Sequence, residues 1–280
     1  MISISHPSKA KSKIDPKYLE RIVNLIAFPR VYGTDANAQA AVLIGDEFLN
    51  IFGERPKYIG EHDNFYCGAA PHEAEILIGA HFDSVPNSPA ADDNASAIAV
   101  MLACAKELKD NPKICFMAFN CEEYGIAGSQ NLVTEHLKTN ALKEVHILEM
   151  VGYCSHAPNS QKNPLPGLIE VPTVGDFIGV LGNQKQFVDY IITKANEVAV
   201  PVIGLSLPPG VPLAKINQIS PHLLRSDHVG FWAAGISTVM WTDTAEFRNS
   251  NYHQMTDTPD TLDYCFMAEV TQLIVNLYKE

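Results

Sequence analysis

The apolar run at residues 76–80 leads straight into His81 and Asp83, and the following polar stretch, Ala90-Ala-Asp-Asp-Asn-Ala-Ser-Ala97, brings Asp92 and Asp93. Polar side chains at the mouth of a buried strand are costly unless something satisfies them. His81 and Asp83 are two apart, so they point the same way on an extended chain. The apolar run at 114–119 leads to Glu122 and Glu123, in Asn120-Cys-Glu-Glu-Tyr-Gly125. The run at 145–151 carries Glu149 near its end, and the last apolar run leads through Thr242-Asp-Thr244 to Asn251-Tyr-His253. Each feature alone has a bland reading: a hydrogen-bonded histidine, acids at a helix N-terminus, or an aspartate cap. Their coincidence at the ends of several strands points to a cation. Glu149 argues most strongly, because an unpaired carboxylate inside an apolar strand is very costly and a cation removes the cost.

Imidazole and carboxylate donors without cysteine suit zinc, with cobalt or manganese as substitutes. His81, Asp92, Glu123, Glu149 and His253 make a set too large for one catalytic zinc, which takes three protein ligands and keeps a position open. The set suits two zinc ions if one carboxylate bridges. Three carboxylates against two dications leave roughly one positive charge, which a bridging hydroxide would neutralise while serving as nucleophile at neutral pH.

These residues need a scaffold that delivers strand ends to one edge. Asp15 precedes a helical pattern with Leu19, Ile22, Val23 and Ile26 on one face, and Thr34 can cap a second helix that runs to Phe52 and stops at Gly53. Short buried strands are expected at 75–80, 114–119, 145–151, 176–181, 202–205 and 236–241, and helices at 95–108, 130–137, 184–198 and 261–278. Ser226 reads as the cap of a short helix ended by Gly235. This alternation predicts an α/β single domain: a central, mainly parallel (mixed) β-sheet with helices on both faces. Ligands of such sheets bind beyond the carboxyl ends of the strands. Residues 155–175 hold four prolines without a clear period, as a functional loop would. With the segment 208–220, that loop is expected to shape a substrate pocket.

A chain of 280 residues, 46% of them hydrophobic, can bury a large core, and its net charge of −12 argues against nucleic acid or an anionic membrane as partner. Residues 1–14 read as a flexible polar tail rather than a signal peptide, and no apolar run is long enough to span a bilayer. The six cysteines form no CxxC pair and read as reduced thiols of a cytoplasmic protein.

The ordered set of His81-Phe-Asp83, Ala91-Asp-Asp-Asn-Ala-Ser96, Glu122-Glu-Tyr-Gly125, Leu148-Glu-Met-Val-Gly-Tyr153 and Tyr252-His-x-x-x-Asp-Thr-Pro-Asp260 resembles the di-zinc exopeptidases of the bacterial leucyl aminopeptidase and glutamate carboxypeptidase type. The resemblance runs from about residue 17 to residue 280 and implies a catalytic domain over 15–280 with the phosphorylase/hydrolase-like zinc exopeptidase architecture. It implies that Asp92 bridges two zinc ions, that His81 and Glu149 complete one site, and that Glu123 and His253 complete the other. It further implies that Asp83 hydrogen-bonds His81 and fixes its tautomer, that Glu122 is the general base, and that the Asp92–Asp93 peptide is cis. Glu149 stands where many relatives carry Asp, and Ala97 where many carry Gly. Tyr252 and Arg248 are candidates for an oxyanion or substrate contact. Asp93 and Asp227 are expected to support the ligands from behind, with His228 beside them; the other histidines have no ligand-like context.

The resemblance implies a zinc metallopeptidase that hydrolyses the N-terminal bond of peptides, with a peptide or amino-acyl small molecule as substrate. A glutaminyl cyclase-like activity, a carboxypeptidase or amidohydrolase specificity, and a non-catalytic binding module on the same scaffold stand as alternatives. The complete ligand set argues against a single-zinc cyclase, and Glu122 against an inert module. A carboxypeptidase needs a cationic pocket, for which Arg248 is the obvious residue.

Overall fold

The computed structural model describes residues 1–8, 10–137, 141–208 and 210–279. Lys9 of the expected tail and Pro209 of the expected 208–220 loop lie outside them. Among the described residues the strands are β1 (Ile2–Ile4), β2 (Lys57–Ile59), β3 (Asn64–Gly68), β4 (Ile76–His81), β5 (Ile114–Phe119), β6 (Glu144–Leu148), β7 (Ile178–Gly182), β8 (Val202–Ser206) and β9 (Thr238–Thr242). They form one sheet of order β1-β8-β7-β9-β6-β4-β5-β3-β2. The helices are α1 (Pro16–Ile26), α2 (Asp35–Phe52), α3 (Ala97–Leu108), α4 (Ala127–Asn131), α5 (Lys185–Ala195), α6 (Leu213–Ile219), α7 (His228–Ala233) and α8 (Tyr264–Tyr278).

The middle of the sheet is a parallel block, β9-β6-β4-β5, flanked by antiparallel pairings of β3 with β5 and β7 with β9. The sheet is therefore mixed, with its parallel part at the centre, where both faces are covered. Side chains alternate between the faces. Ile78, Ala80, Phe116, Leu148 and Val180 pack under α1, α2, α3, α5 and α8. Leu77, Met117, Val145 and Ile147 meet Leu132 and Phe231, near α4 and on α7, on the other face. α3 lies between the sheet and α1 and α8, which explains why it is apolar almost all round.

Local chemistry sets the helix ends. Asp15 accepts from the N–H of Lys17 ahead of Pro16, Thr34 accepts from that of Asn37, and Gly53 adopts the left-handed conformation that ends α2. Three expectations change. Ile2–Ile4 is an edge strand on β8 instead of tail. The helix expected from 95 begins at Ala97, and residues 91–96 form an irregular turn. β6 stops at Leu148, because Met150 has φ 51° and its N–H turns to Asn94 Oδ1 at 2.9 Å. Glu149 thus lies at the mouth of the strand, not within it.

Candidate metal centre

Parallel strands end on the same side of a sheet, so the central block brings its following residues together. His81 closes β4, level with Phe119 of β5, and Glu149 follows β6 directly. Glu122 and Glu123 come from the turn after β5. Asp83 fixes that turn: its two carboxylate oxygens accept the N–H groups of Glu122 and Glu123, each at 3.1 Å. The same carboxylate is 3.5 Å from His81 Nδ1, so it faces the imidazole while anchoring the glutamates.

Asp93 occupies the centre. Its Oδ1 is 3.4 Å from His81 Nε2, which is 3.5 Å from Glu149 Oε1. Its Oδ2 is 3.0 Å from His253 Nε2, which is 3.4 Å from Glu123 Oε2. Two groups of donors result, His81–Asp93–Glu149 and Asp93–Glu123–His253, each with its ligand atoms within 4.8 Å of one another.

The aspartate that joins the groups is therefore Asp93, not Asp92. Asp92 turns the other way, where its Oδ1 accepts the Gly152 N–H at 3.0 Å and its Oδ2 accepts from Asn249 Nδ2 at 2.7 Å. The cis peptide likewise falls one residue later than expected, at Asp93–Asn94. Sequence offers two adjacent carboxylates; the turn decides which faces inward. Asp257 sets that turn by accepting the N–H groups of Asp92 and Asp93.

The charged groups of the centre act on one another at short range. Burial works against the charged form of Asp93, but His253 and His81 overcome it and hold the carboxyl well below the usual range. Burial likewise opposes charge on His253, yet contacts with Asp93 and Glu123 hold its imidazolium up to about 10. Burial pushes Glu123 up to about 7 and Glu122 well above the ordinary carboxylate range. Burial and the neighbouring Asp243 raise Asp92 well above that range too.

Both ring nitrogens of His81 and Oε1 of Glu123 are buried without a hydrogen-bond partner. Orphaned polar atoms are expensive in a protein interior. Here they converge on acidic oxygens, so the donor set fits divalent cations on the strand-end edge of the sheet.

Two further expectations divide. Tyr252 stacks on His253 at 3.8 Å between centroids and lines a mostly apolar cavity of about 130 Å³ that opens beside Glu149. Arg248 does not reach that cavity. It is buried, donates through Nε to Gln161 Oε1 at 2.8 Å and through Nη1 to the Tyr153 carbonyl at 3.2 Å, and covers the Phe177 ring. Gly175 lets it lie there, since a Cβ at 175 would come within 2.8 Å of the Arg248 side chain. Arg248 therefore holds the neck of the 155–175 loop and cannot take the expected substrate or oxyanion role. The guanidinium that does line the cavity belongs to Arg225, which is ion-paired with Glu246.

Residues 66–171 match Peptidase family M28. Escherichia coli (strain K12) YfbL is 32% identical over 236 residues, covering 78% of this chain and 71% of that protein. The chain belongs to peptidase family M28. As an M28 member it is an enzyme, a hydrolase of the metallopeptidase kind. The probable lipoprotein aminopeptidase LpqL of Mycobacterium tuberculosis is 30% identical over 217 residues, 67% of this chain but only 39% of LpqL. In fold, the M28 chain is similar to BSAP, a zinc aminopeptidase from Bacillus subtilis, with a TM-score of 0.67 at 16% identity over 95% of each chain.

Several residues of this M28 centre escaped sequence reasoning. Asn94 straddles Glu149, donating to the Leu148 carbonyl at 3.0 Å while its Oδ1 accepts from Met150. Ser226, expected to cap a helix, donates instead to Glu149 Oε2 at 2.7 Å. Arg30 is wholly buried, donates to the carbonyls of Ile26, Phe28, Phe82, Pro89 and Ala90, and brings a positive charge beneath Asp93 and Asp83. Nothing marks it in Phe28-Pro-Arg30. Asp257 stands in the 252–260 stretch, where its type and spacing alone do not reveal that it anchors the turn at Asp92 and Asp93. Asp227 is buried within the electrostatic reach of His81, and burial pushes its carboxyl up to about 7.

Proposed function

We propose that the protein is a zinc-dependent aminopeptidase whose centre holds two divalent ions, with Asp93 as the bridging ligand, His81 and Glu149 on one ion, and Glu123 and His253 on the other. The single observation that carries this reading is that each oxygen of Asp93 faces a different imidazole–carboxylate pair. When bound, such ions supply Lewis acidity toward a carbonyl and acidify a water.

The chain's own residues do the rest. Glu122 is half-buried beside the ligands without joining either donor group, and desolvation drives its carboxyl upward, as suits a group that accepts a proton and gives it back. Glu122 takes the proton of the attacking water and delivers it to the departing amine. Asp83 holds Glu122 and Glu123 in register through their N–H groups. The substrate's first side chain enters the cavity lined by Val180, Leu181, Met240 and Phe247, which favours apolar residues. The carboxypeptidase alternative loses its residue, because Arg248 is buried away from the cavity and Arg225 is already paired.

The test is hydrolysis of a dipeptide panel, each sequence with a free and an acetylated N-terminus, by zinc-loaded protein and its Glu122→Ala variant. The expected result is cleavage of the free forms alone, best with an apolar first residue, and a loss of about 10²–10⁴-fold in the variant. Equal cleavage of acetylated peptides would overturn the aminopeptidase assignment, and a fully active variant would remove Glu122 as base.

A further inference from the structure

A second cluster of donors stands apart from the strand-end centre. Cys154, His156 and Asp263 each offer a ligand atom, and these atoms lie within 4.8 Å of one another. Ser155 pairs with Gly175 in an antiparallel bridge, so the chain is extended there, and Cys154 and His156 face the same way on either side of it. Asp176, next along the opposite leg, places Oδ2 3.5 Å from His156 Nδ1. A carboxylate behind one ring nitrogen is the usual support of an imidazole that binds a metal through the other. Asp263 comes from a different element. As the cap of α8 it accepts the N–H groups of Cys265 and Phe266, both on Oδ1 at 2.9 Å, which leaves Oδ2 free for a further partner.

We propose that Cys154, His156 and Asp263 form an additional divalent-cation site of the zinc class, which clamps the neck of the 155–175 loop to the N-terminus of α8. One thiolate, one imidazole and one carboxylate suit a borderline-soft ion such as zinc, with water as fourth ligand. The site uses none of the ligands of the strand-end centre and does not depend on the peptidase reading.

Its consequence lies in the loop. Between the two legs of the neck the chain supplies Pro164, Ile169 and Val171 to the wall of the cavity beside Glu149 and Tyr252. A cation at the neck therefore holds the pocket wall against α8, and its loss frees the wall without touching the strand-end ligands.

Cobalt(II) separates the two centres, because only a cysteine ligand gives a near-ultraviolet thiolate-to-cobalt absorption band. Titration of the full chain with cobalt(II) alone is expected to produce that band. Cys154→Ser should abolish it, and His156→Ala, a change at an exposed position, should weaken cobalt binding read from the band by about 10-fold or more. Cys121→Ser and Cys265→Ser should leave it unchanged. Absence of the band in the unmodified protein at saturating cobalt would overturn the proposal. So would its survival in Cys154→Ser or an undiminished affinity in His156→Ala. Should Cys154→Ser fail to fold, the His156→Ala and Cys265→Ser titrations still decide the matter.

Discussion

At the scale of single residues, the centre turns on two adjacent aspartates with opposite duties. Asp93 is held ionised between His81 and His253, whereas Asp92 faces neither imidazole and accepts from Gly152 and Asn249. An amide at 92 keeps one of the two acceptor oxygens, but an amide at 93 cannot supply the negative charge of a bridging ligand. Asp93→Asn is therefore expected to lower kcat/KM by about 10³-fold or more and to reduce bound zinc. Asp92→Asn should keep its zinc and stay within about 10-fold of the unmodified enzyme. Metal analysis with steady-state kinetics on the two variants checks this, and the reverse order would return the bridging role to Asp92.

At the scale of elements, each strand end is held by a side chain from elsewhere. Asp83, two residues beyond β4, fastens the turn after β5, and Asn94 fastens the residues after β6. Asp83→Asn keeps one acceptor of two, so the turn carrying Glu122 and Glu123 loses an anchor. A fall of about 10–100-fold in zinc affinity, with kcat reduced as well, is expected from titration against a chelator and initial rates. Gly152 is a second constraint of this kind. A Cβ there would stand 2.9 Å from Ser96 Cβ and 3.0 Å from Asp92 Oδ1. Gly152→Ala should destabilise the fold by about 1–3 kcal/mol, read from denaturant unfolding.

At the scale of the whole molecule, buried acids make stability depend on pH and on metal. Glu123, Asp227 and Asp257 are each pushed up to about 7 by burial, so the folded state binds protons that the unfolded chain has released above about pH 4. His253 is held up to about 10, so its stabilising charge is complete below about pH 6.5 and is lost as pH rises toward 10. Both effects have the same sign. His146 and His228, lowered by burial to about 3 and about 4, act the opposite way, but only below about pH 6.5. The metal-free protein should therefore lose several degrees of Tm, roughly, between pH 6.5 and 9. Zinc should raise Tm and flatten that slope, because cations replace the missing protons. Thermal melts at both pH values, with and without a chelator, test it, and a metal-free Tm that rises across this window would contradict the assignment of charges.

The class of fold, the helix ends at Asp15, Thr34 and Gly53, and the neighbourhood of the centre are legible along the chain. These follow from local rules: apolar periodicity, capping chemistry, and the cost of a polar residue beside a buried strand. The sequence also marks 155–175 as a loop with work to do, and that loop lines the cavity. The choice between Asp92 and Asp93 waits for the folded chain, because adjacent carboxylates differ in nothing but the direction their turn gives them, and Asp257, more than 160 residues away, sets that turn. Folding alone withdraws Arg248 from the cavity and puts Arg225 there, since burial belongs to the packed chain. Arg30, Asn94 and Ser226 were illegible for the same reason: each acts through a carbonyl or carboxylate that folding brings to it, and no spacing along the chain records that meeting.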